Sequence, residues 1–342
     1  MKKSLVLATT FLISFTCIDI AFSKNENRAA RFKTERVSLP GEGRGDYLLV
    51  DEASSKLFVT HASTVHILDL KTLKPIAAVT KLTKAAGVAV AAGKGFVSDA
   101  GGNKIVVFDP ATGSAIKTLA GGEKPDSIFF DQPSGMIFVF NGESHDISVV
   151  DPIKAEIVKT IALGDGPEAA RGDGKGRAYV NLGDERAVAV IDTRKGEVVN
   201  KIPLTGCESP AALGIDAAHD RIFSSCENKA MKVLDAKTGR IVATLPVGED
   251  PDGIVYDAAG QQIVVSGRDG SWTIVDQLSA DRYRINSTFA IDPYAKTLAH
   301  DTQSGRIFSS TADLIWPPAV PGKKHLPDAK SGTFRLIVIS TR

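Results

Sequence analysis

The sequence predicts an all-β fold, a seven-bladed β-propeller with four-stranded blades. Three observations lead there. First, a short apolar segment ending in aspartate recurs at Val65–Asp69, Ile105–Asp109, Ile147–Asp151, Val188–Asp192, Met231–Asp235 and Thr273–Asp276, with the aspartates 40, 42, 41, 43 and 41 residues apart. Second, each unit alternates apolar and polar residues with period two between Gly, Pro and Asp turns. That is the signature of short, half-buried strands, and the 3.6-residue periodicity of helical repeats is missing. Third, a loop containing Gly or Pro followed by a strand occurs seven times, near 46–51, 85–91, 126–131, 168–173, 211–216, 252–257 and 296–301. Four strands in a unit of about 40 residues make one propeller blade.

Within a unit the elements follow in a fixed order. The innermost strand ends in Asp (Ser127–Asp131, Gly253–Asp257), and a second strand follows, as in Phe58-Val59-Thr60-His61 or Phe96-Val97-Ser98-Asp99. The third is the apolar run ending in the repeating Asp. A turn such as Lys237-Thr238-Gly239 then leads to an outer strand, here Arg240–Val247. Loops such as Gly122-Glu123-Lys124-Pro125, Gly164-Asp165-Gly166-Pro167 and Gly248-Glu249-Asp250-Pro251 open the next unit. The last unit supplies Gly305–Ser310 and Thr333–Ile339 but has no outer strand of its own. Arg31–Leu39 precedes the first blade and is expected to fill that place, closing the ring and removing both open sheet edges. One domain, 31–342, results, with 312–332 as an insertion in blade seven.

Met1-Lys2-Lys3, the apolar run Leu5–Ile20 and Ala21-Phe22-Ser23 have the pattern of a secretory signal peptide. Cleavage is expected after Ser23, leaving a short segment, 24–30, before the propeller. The protein is therefore expected to be periplasmic or secreted, without a membrane span after cleavage. Lys and Arg total 41 against 40 for Asp and Glu, and loss of Lys2, Lys3 and Asp19 makes the two equal. A mature net charge near zero gives no broad basic field for nucleic acid or acidic membrane. A monomer is expected.

Removing the leader also removes Cys17 and leaves Cys207 and Cys226, an even pair in an oxidising compartment. In the blade register both fall at the top of blade five, and a disulfide between them is expected. No Cys-x-x-Cys-His haem motif, Walker loop, His-x-x-x-His helix or Gly-x-Ser-x-Gly nucleophile elbow is present.

Phe58-Val59-Thr60-His61, Tyr179-Val180-Asn181 and Phe138-Val139-Phe140-Asn141, each followed by a Val-rich segment ending in Asp, resemble the YVTN repeat. Over its mature length the chain is similar to YVTN-repeat (YncE-like) β-propellers, although no blade carries the complete Tyr-Val-Thr-Asn tetrapeptide. The resemblance implies the fold. It does not imply one activity: relatives include surface-layer and periplasmic proteins of unassigned role, a single-stranded-DNA binder, and propellers neighbouring electron-transfer systems. Function has to be argued from the site.

Loops from an outer strand to the next inner strand share one face, the top, with loops between second and third strands. The position that opens each inner strand is Asp46, Ala86, Asp126, Glu168, Ala211, Asp252 and Lys296. This ring is expected at the channel mouth, where its carboxylates suit a hard cation or a cationic or polyhydroxy ligand; each Asp after Pro also suits a turn cap. Asp126, Glu168 and Asp252 are the candidate metal ligands, with calcium or another divalent cation as the candidate cofactor. His61, at the end of a second strand, is a candidate ligand or base, and Arg171 a source of positive charge in the channel. In the insertion, Trp316 with Pro317 and Pro318 is a candidate lid or docking anchor, or a loop packed on the rim.

The leading expectation is a non-catalytic, exported binding platform that takes a protein or small-molecule partner at the top face. A metal-dependent hydrolase of lactonase type is the alternative, with the ring carboxylates on a cation that activates water. Binding of single-stranded nucleic acid is a third class, weakened by an aromatic content of 6% and the neutral charge.

Overall fold

In the computed structural model, which describes residues 32–318 and 326–341, each repeat folds into four antiparallel strands. The leader (1–23), the segment 24–30 and part of the insertion lie outside the described residues. Seven four-stranded sheets form the blades, and among the described residues Ala100–Gly102, a single 3-10 turn, is the one helical element. Inner strands run over Gly45–Asp51, Ala85–Ala91, Pro125–Asp131, Pro167–Gly172, Pro210–Asp216 and Pro251–Asp257 in blades one to six. In blade seven the inner strand is reduced to Ala299–His300.

The ring closes as the sequence predicts. Phe32–Ser38 pairs antiparallel with Arg335–Thr341, from Phe32 opposite Thr341 to Ser38 opposite Arg335, so the N-terminal strand completes blade seven. Leu39 N–H extends the pairing to the Phe334 carbonyl at 3.1 Å. The first and last described strands are thereby tied into one sheet, which gives blade seven its fourth strand.

The second and third strands carry the core. Leu57, Phe58 and Val59 in blade one and Ile137, Phe138 and Val139 in blade three are fully buried. Outer strands mix half-buried and exposed residues, as in Phe32–Ser38. The apolar clusters cross the seams between blades: Val59 and Leu68 of blade one pack with Phe308, Leu336 and Val338 of blade seven.

The seams are also stapled by polar side chains, four of them at one position, the next-to-last residue of the second strand. Ser98 Oγ donates to the Asp126 carbonyl of the next blade at 2.6 Å while accepting from Gly87 N–H of its own inner strand at 2.8 Å. Ser225 repeats the arrangement with the Pro251 carbonyl (2.8 Å) and Ala212 N–H (2.9 Å). Ser266 Oγ donates to the Lys296 carbonyl at 2.6 Å, and Asn181 Nδ2 to the Ala211 carbonyl at 3.1 Å. The close approach demands glycine beside the staple: a Cβ on Gly87 would lie 2.7 Å from Ile128 Cγ2 and 3.1 Å from the Asp126 carbonyl. Blade three has Phe140 in this place, and there Ser127 Oγ accepts from Ala170 N–H across the seam instead.

Cys207 and Cys226 form the expected disulfide, with Cα atoms 5.2 Å apart. It ties the loop entering blade five to the end of that blade's second strand, where Pro210 pairs with Cys226.

Two predictions follow from the seams. Ser98→Ala, Ser225→Ala and Ser266→Ala each leave a buried carbonyl without its donor and should cost about 1–3 kcal/mol in urea unfolding; losses below about 0.5 kcal/mol would show that the staples are passive. Reduction, or the Cys207→Ala/Cys226→Ala pair, should cost about 3 kcal/mol through restored loop entropy, read as a lower melting temperature with dithiothreitol.

Candidate functional site

In blades one to six the strand register slips at the top of the inner strand, between Gly45 and Leu48, Ala85 and Val88, Pro125 and Ile128, Pro167 and Ala170, Pro210 and Leu213, and Pro251 and Gly253. The ring residue of each of these blades sits inside that irregularity. A bulge frees a residue from the ladder and re-aims its side chain, and here five ring side chains meet at the channel mouth. Asp46, Asp126, Glu168, Asp252 and Lys296 line one cavity of about 290 Å³.

The mouth is not a carboxylate ring. Arg44, Lys84, Lys124 and Arg268 also line it, with Tyr47 and Tyr294. Arg44, Lys84, Lys124 and Tyr294 each stand two residues before a ring position, so three basic side chains and a tyrosine join the mouth from one shared offset. Lys124 and Tyr294 hold this place with φ of 54° and 60°, a left-handed backbone that is uncommon for bulky residues.

Charge pairing divides the cavity. On one side the Lys296 ammonium stands 3.1 Å from Asp46 Oδ1 and 3.0 Å from Asp252 Oδ2, and Arg268 Nη2 is 3.0 Å from the same Asp252 oxygen. Burial opposes the charge on Asp252, but Lys296 and Arg268 outweigh it and hold this carboxyl below its ordinary range. For Lys296 the two aspartates likewise outweigh burial and hold the ammonium protonated. On the other side, neither the Asp126 nor the Glu168 carboxylate has an ion pair among the described residues. Burial, with repulsion from Asp46 and Glu168, pushes Asp126 up to about 7; burial and Asp252 also raise Glu168. The Tyr47 phenol is raised well above its usual range, by burial first and then by the four carboxylates, so it stays a neutral donor.

This arrangement bears on a cation site. Among the described residues no three or more His, Cys, Asp or Glu side chains are grouped so as to hold a metal ion. The Lys296 ammonium already occupies the place between Asp46 and Asp252 that a cation would take, and Asp252 is committed to two basic partners.

The remaining sequence candidates are placed elsewhere. His61 is buried and does not line the mouth. It stacks on Phe334 with ring centroids 3.5 Å apart, lies 3.1 Å from the Gly43 carbonyl through Nε2, and meets His66 Nε2 at 3.2 Å through Nδ1. The carbonyl can only accept, so His61 Nε2–H donates to it, and in the neutral pair His61 Nδ1 accepts from His66 Nε2–H. Burial lowers His61, and burial with His61 lowers His66 to about 4. Arg171 lines a second chamber, further along the channel, with Phe129 and Leu298. Trp316 lies edge-on to Tyr294, ring centroids 6.1 Å apart, over a depression beside the mouth. The insertion forms a small hairpin, Leu314–Ile315 against Asp328–Ala329, and its Leu326 reaches the mouth cavity. Sequence reasoning missed Arg44, Lys84 and Lys124, although their common offset from the ring positions was there to be found.

No protein-family model matches the chain, and no curated protein matches it. Solved structures do. The WD40 repeats of RRP9 superpose with a TM-score of 0.75 at 9% identity, over 92% of this chain and 98% of that one. U3-55K gives 0.73 at 9% identity, over 91% and 98%, and hydrazine synthase of Kuenenia stuttgartiensis 0.65 at 19% identity, over 80% and 93%. At these identities the likeness establishes the WD40-like propeller fold.

The raised Asp126 sets a pH signature. Near pH 4 and below, this carboxyl is protonated in the folded chain and increasingly so in the unfolded one. As pH rises, the unfolded chain ionises first and the folded state loses stability until about pH 7. Asp126→Asn cannot ionise, so it should gain on the order of 2 kcal/mol over the parent at pH 8 and almost nothing at pH 4. Paired urea titrations at the two pH values check this.

Proposed function

We propose that the protein is an exported propeller of YVTN-like type that acts as a non-catalytic binding platform, taking a ligand or a partner's side chain in its channel mouth. The observation that carries this reading is the unequal pairing of the mouth. Asp46, Asp252, Arg268 and Lys296 neutralise one another, whereas among the described residues Asp126 and Glu168 face the cavity without an ion pair, with Lys84, Lys124 and Lys296 acting on them only at longer range. Two adjacent carboxylates held above their ordinary range are destabilised until a cation or strong donor arrives, so a ligand that brings one is rewarded. The cavity, about 290 Å³, is at the small end for organic ligands, which suits a single side chain or a compact polar molecule. Lys84 and Lys124 beside the carboxylates favour a partner with acidic groups flanking its cation.

Export is supported by the leader pattern and by the Cys207–Cys226 bridge, which persists in an oxidising compartment. Non-catalytic action is supported by the absence of a nucleophile motif from the sequence and by the salt-bridged state of Asp252.

Calorimetry with agmatine, a guanidinium on a short amine chain, tests the reading. The mature chain should bind it, and Asp126→Asn/Glu168→Gln should weaken binding by about tenfold or more. Equal binding by the variant would move the ligand away from these carboxylates. Calcium-dependent turnover of a lactone panel, abolished by the same pair, would replace this reading with the hydrolase one.

A further inference from the structure

The lower half of the channel holds a cation without a counter-ion. Arg171 lies three residues beyond Glu168 on the inner strand of blade four, and at about 3.3 Å per residue its side chain emerges about 10 Å further down the channel. It lines a chamber of about 260 Å³ whose walls include Leu48, Val88, Ile128, Phe129, Val255 and Leu298.

Arg171 Nη1 donates to the Ala170 carbonyl at 2.9 Å. Among the described residues no carboxylate pairs with it. Burial lowers its proton affinity, and the one group that counters this is the Tyr47 phenol, itself held neutral. The contrast with Arg221 is instructive: that guanidinium, also surrounded by protein, is met by Asp235 at 3.1 Å and Asp281 at 2.7 Å. A guanidinium carries five donors in a planar fork matched to a carboxylate, and leaving one unpaired beside apolar walls is costly. His300, whose Nδ1 is buried without a partner among the described residues, lies on the same chamber wall.

We infer that this lower chamber is a binding site for a small organic monoanion, a carboxylate with an apolar body, whose charge pairs with Arg171 and whose body lies against Phe129, Ile128 and their aliphatic neighbours. The site is distinct from the mouth. Tyr47 lines both cavities and marks the waist between them. The amphiphilic wall excludes a multiply charged anion, which would find one cation and no further donors of like strength. The chamber's size keeps the occupant small.

The test is calorimetry on the mature chain with benzoate, and with benzamide as its neutral isostere, at constant ionic strength. Benzoate should bind at least about tenfold more tightly than benzamide, and Arg171→Gln should remove that preference. Lys84→Gln/Lys124→Gln and Asp126→Asn/Glu168→Gln should leave benzoate affinity unchanged, which separates this site from the proposed function of the mouth. No binding of benzoate, equal binding of benzamide by the unmodified chain, or loss of benzoate binding in either mouth variant would overturn the inference. So would sulfate displacing benzoate at equal concentration.

Discussion

In four of the seven blades a small polar side chain at the next-to-last position of the second strand reaches across to the backbone that opens the neighbouring inner strand, and on this contact the channel mouth depends. Ser98, Asn181, Ser225 and Ser266 each bond to a carbonyl of the following blade. The carbonyl partners are those of Asp126, Ala211, Pro251 and Lys296, which are ring positions or their immediate neighbour. Thr297 Oγ1 does the same at the closing seam, donating to the Asp46 carbonyl at 2.5 Å. Blade angle and side-chain placement are thus fixed by one set of bonds. Each hydroxyl replaces an apolar contact that could slide with one that cannot, and the register slip beside it turns the ring side chain inward.

With the backbone fixed, electrostatics cannot relax by moving the ring. The mouth confines four carboxylates and five basic side chains in one cavity, and the pairing they reach is partial. Lys296 and Arg268 settle on Asp46 and Asp252, because those two positions lie beside blade seven and the end of the second strand of blade six. Asp126 in blade three and Glu168 in blade four lie further round the ring and make no ion pair with either cation among the described residues, although Lys296 still favours their charged forms at longer range. The asymmetry of the mouth therefore comes from where a single lysine interrupts an otherwise acidic and neutral ring.

The fold was legible because every level of the sequence repeats it: the 41-residue spacing, the period-two strands, and the missing outer strand that Phe32–Ser38 supplies. The ring residues were legible for the same reason. His61 was not, because the loop that covers it belongs to the ring closure rather than to the repeat. Gly41 lies so close that a Cβ there would fall 2.8 Å from His61 Cε1, and a residue expected at the open top is sealed beneath that loop. For Trp316 the choice between lid, docking anchor and rim packing stayed open because an insertion has no register, so nothing in the repeat says which way it folds. Arg44, Lys84 and Lys124 were not readily legible either, because only three of the seven blades carry a basic residue two positions before the ring residue. The position of the staples lay in plain view as Thr60, Ser98, Asn181, Ser225, Ser266 and Ser310 at one offset, but Thr60 bonds only within its own blade, and a repeated small polar residue is mute until its partner is known. Ser310, whose hydroxyl has no partner among the described residues, shows that the residue type alone does not make the bond.

The channel shows why a net charge near zero says little about what a propeller can bind. A ring fold brings residues some 40 positions apart into one small space, so the charge that a ligand meets is set by a few strand positions and not by the sum over the chain. Above the waist, carboxylates and ammonium groups crowd together and two acids go unmatched. Below it, one guanidinium stands among apolar side chains with no acid at all. Tyr47, kept neutral by its burial first and then by the carboxylates, separates the two environments without adding charge to either. Opposite unmet charges about 10 Å apart on a single inner strand, Glu168 and Arg171, are a property that no average over the sequence contains. They are also costly to keep unless something else satisfies them, and that cost is the physical ground for reading this channel as a place where ligands bind.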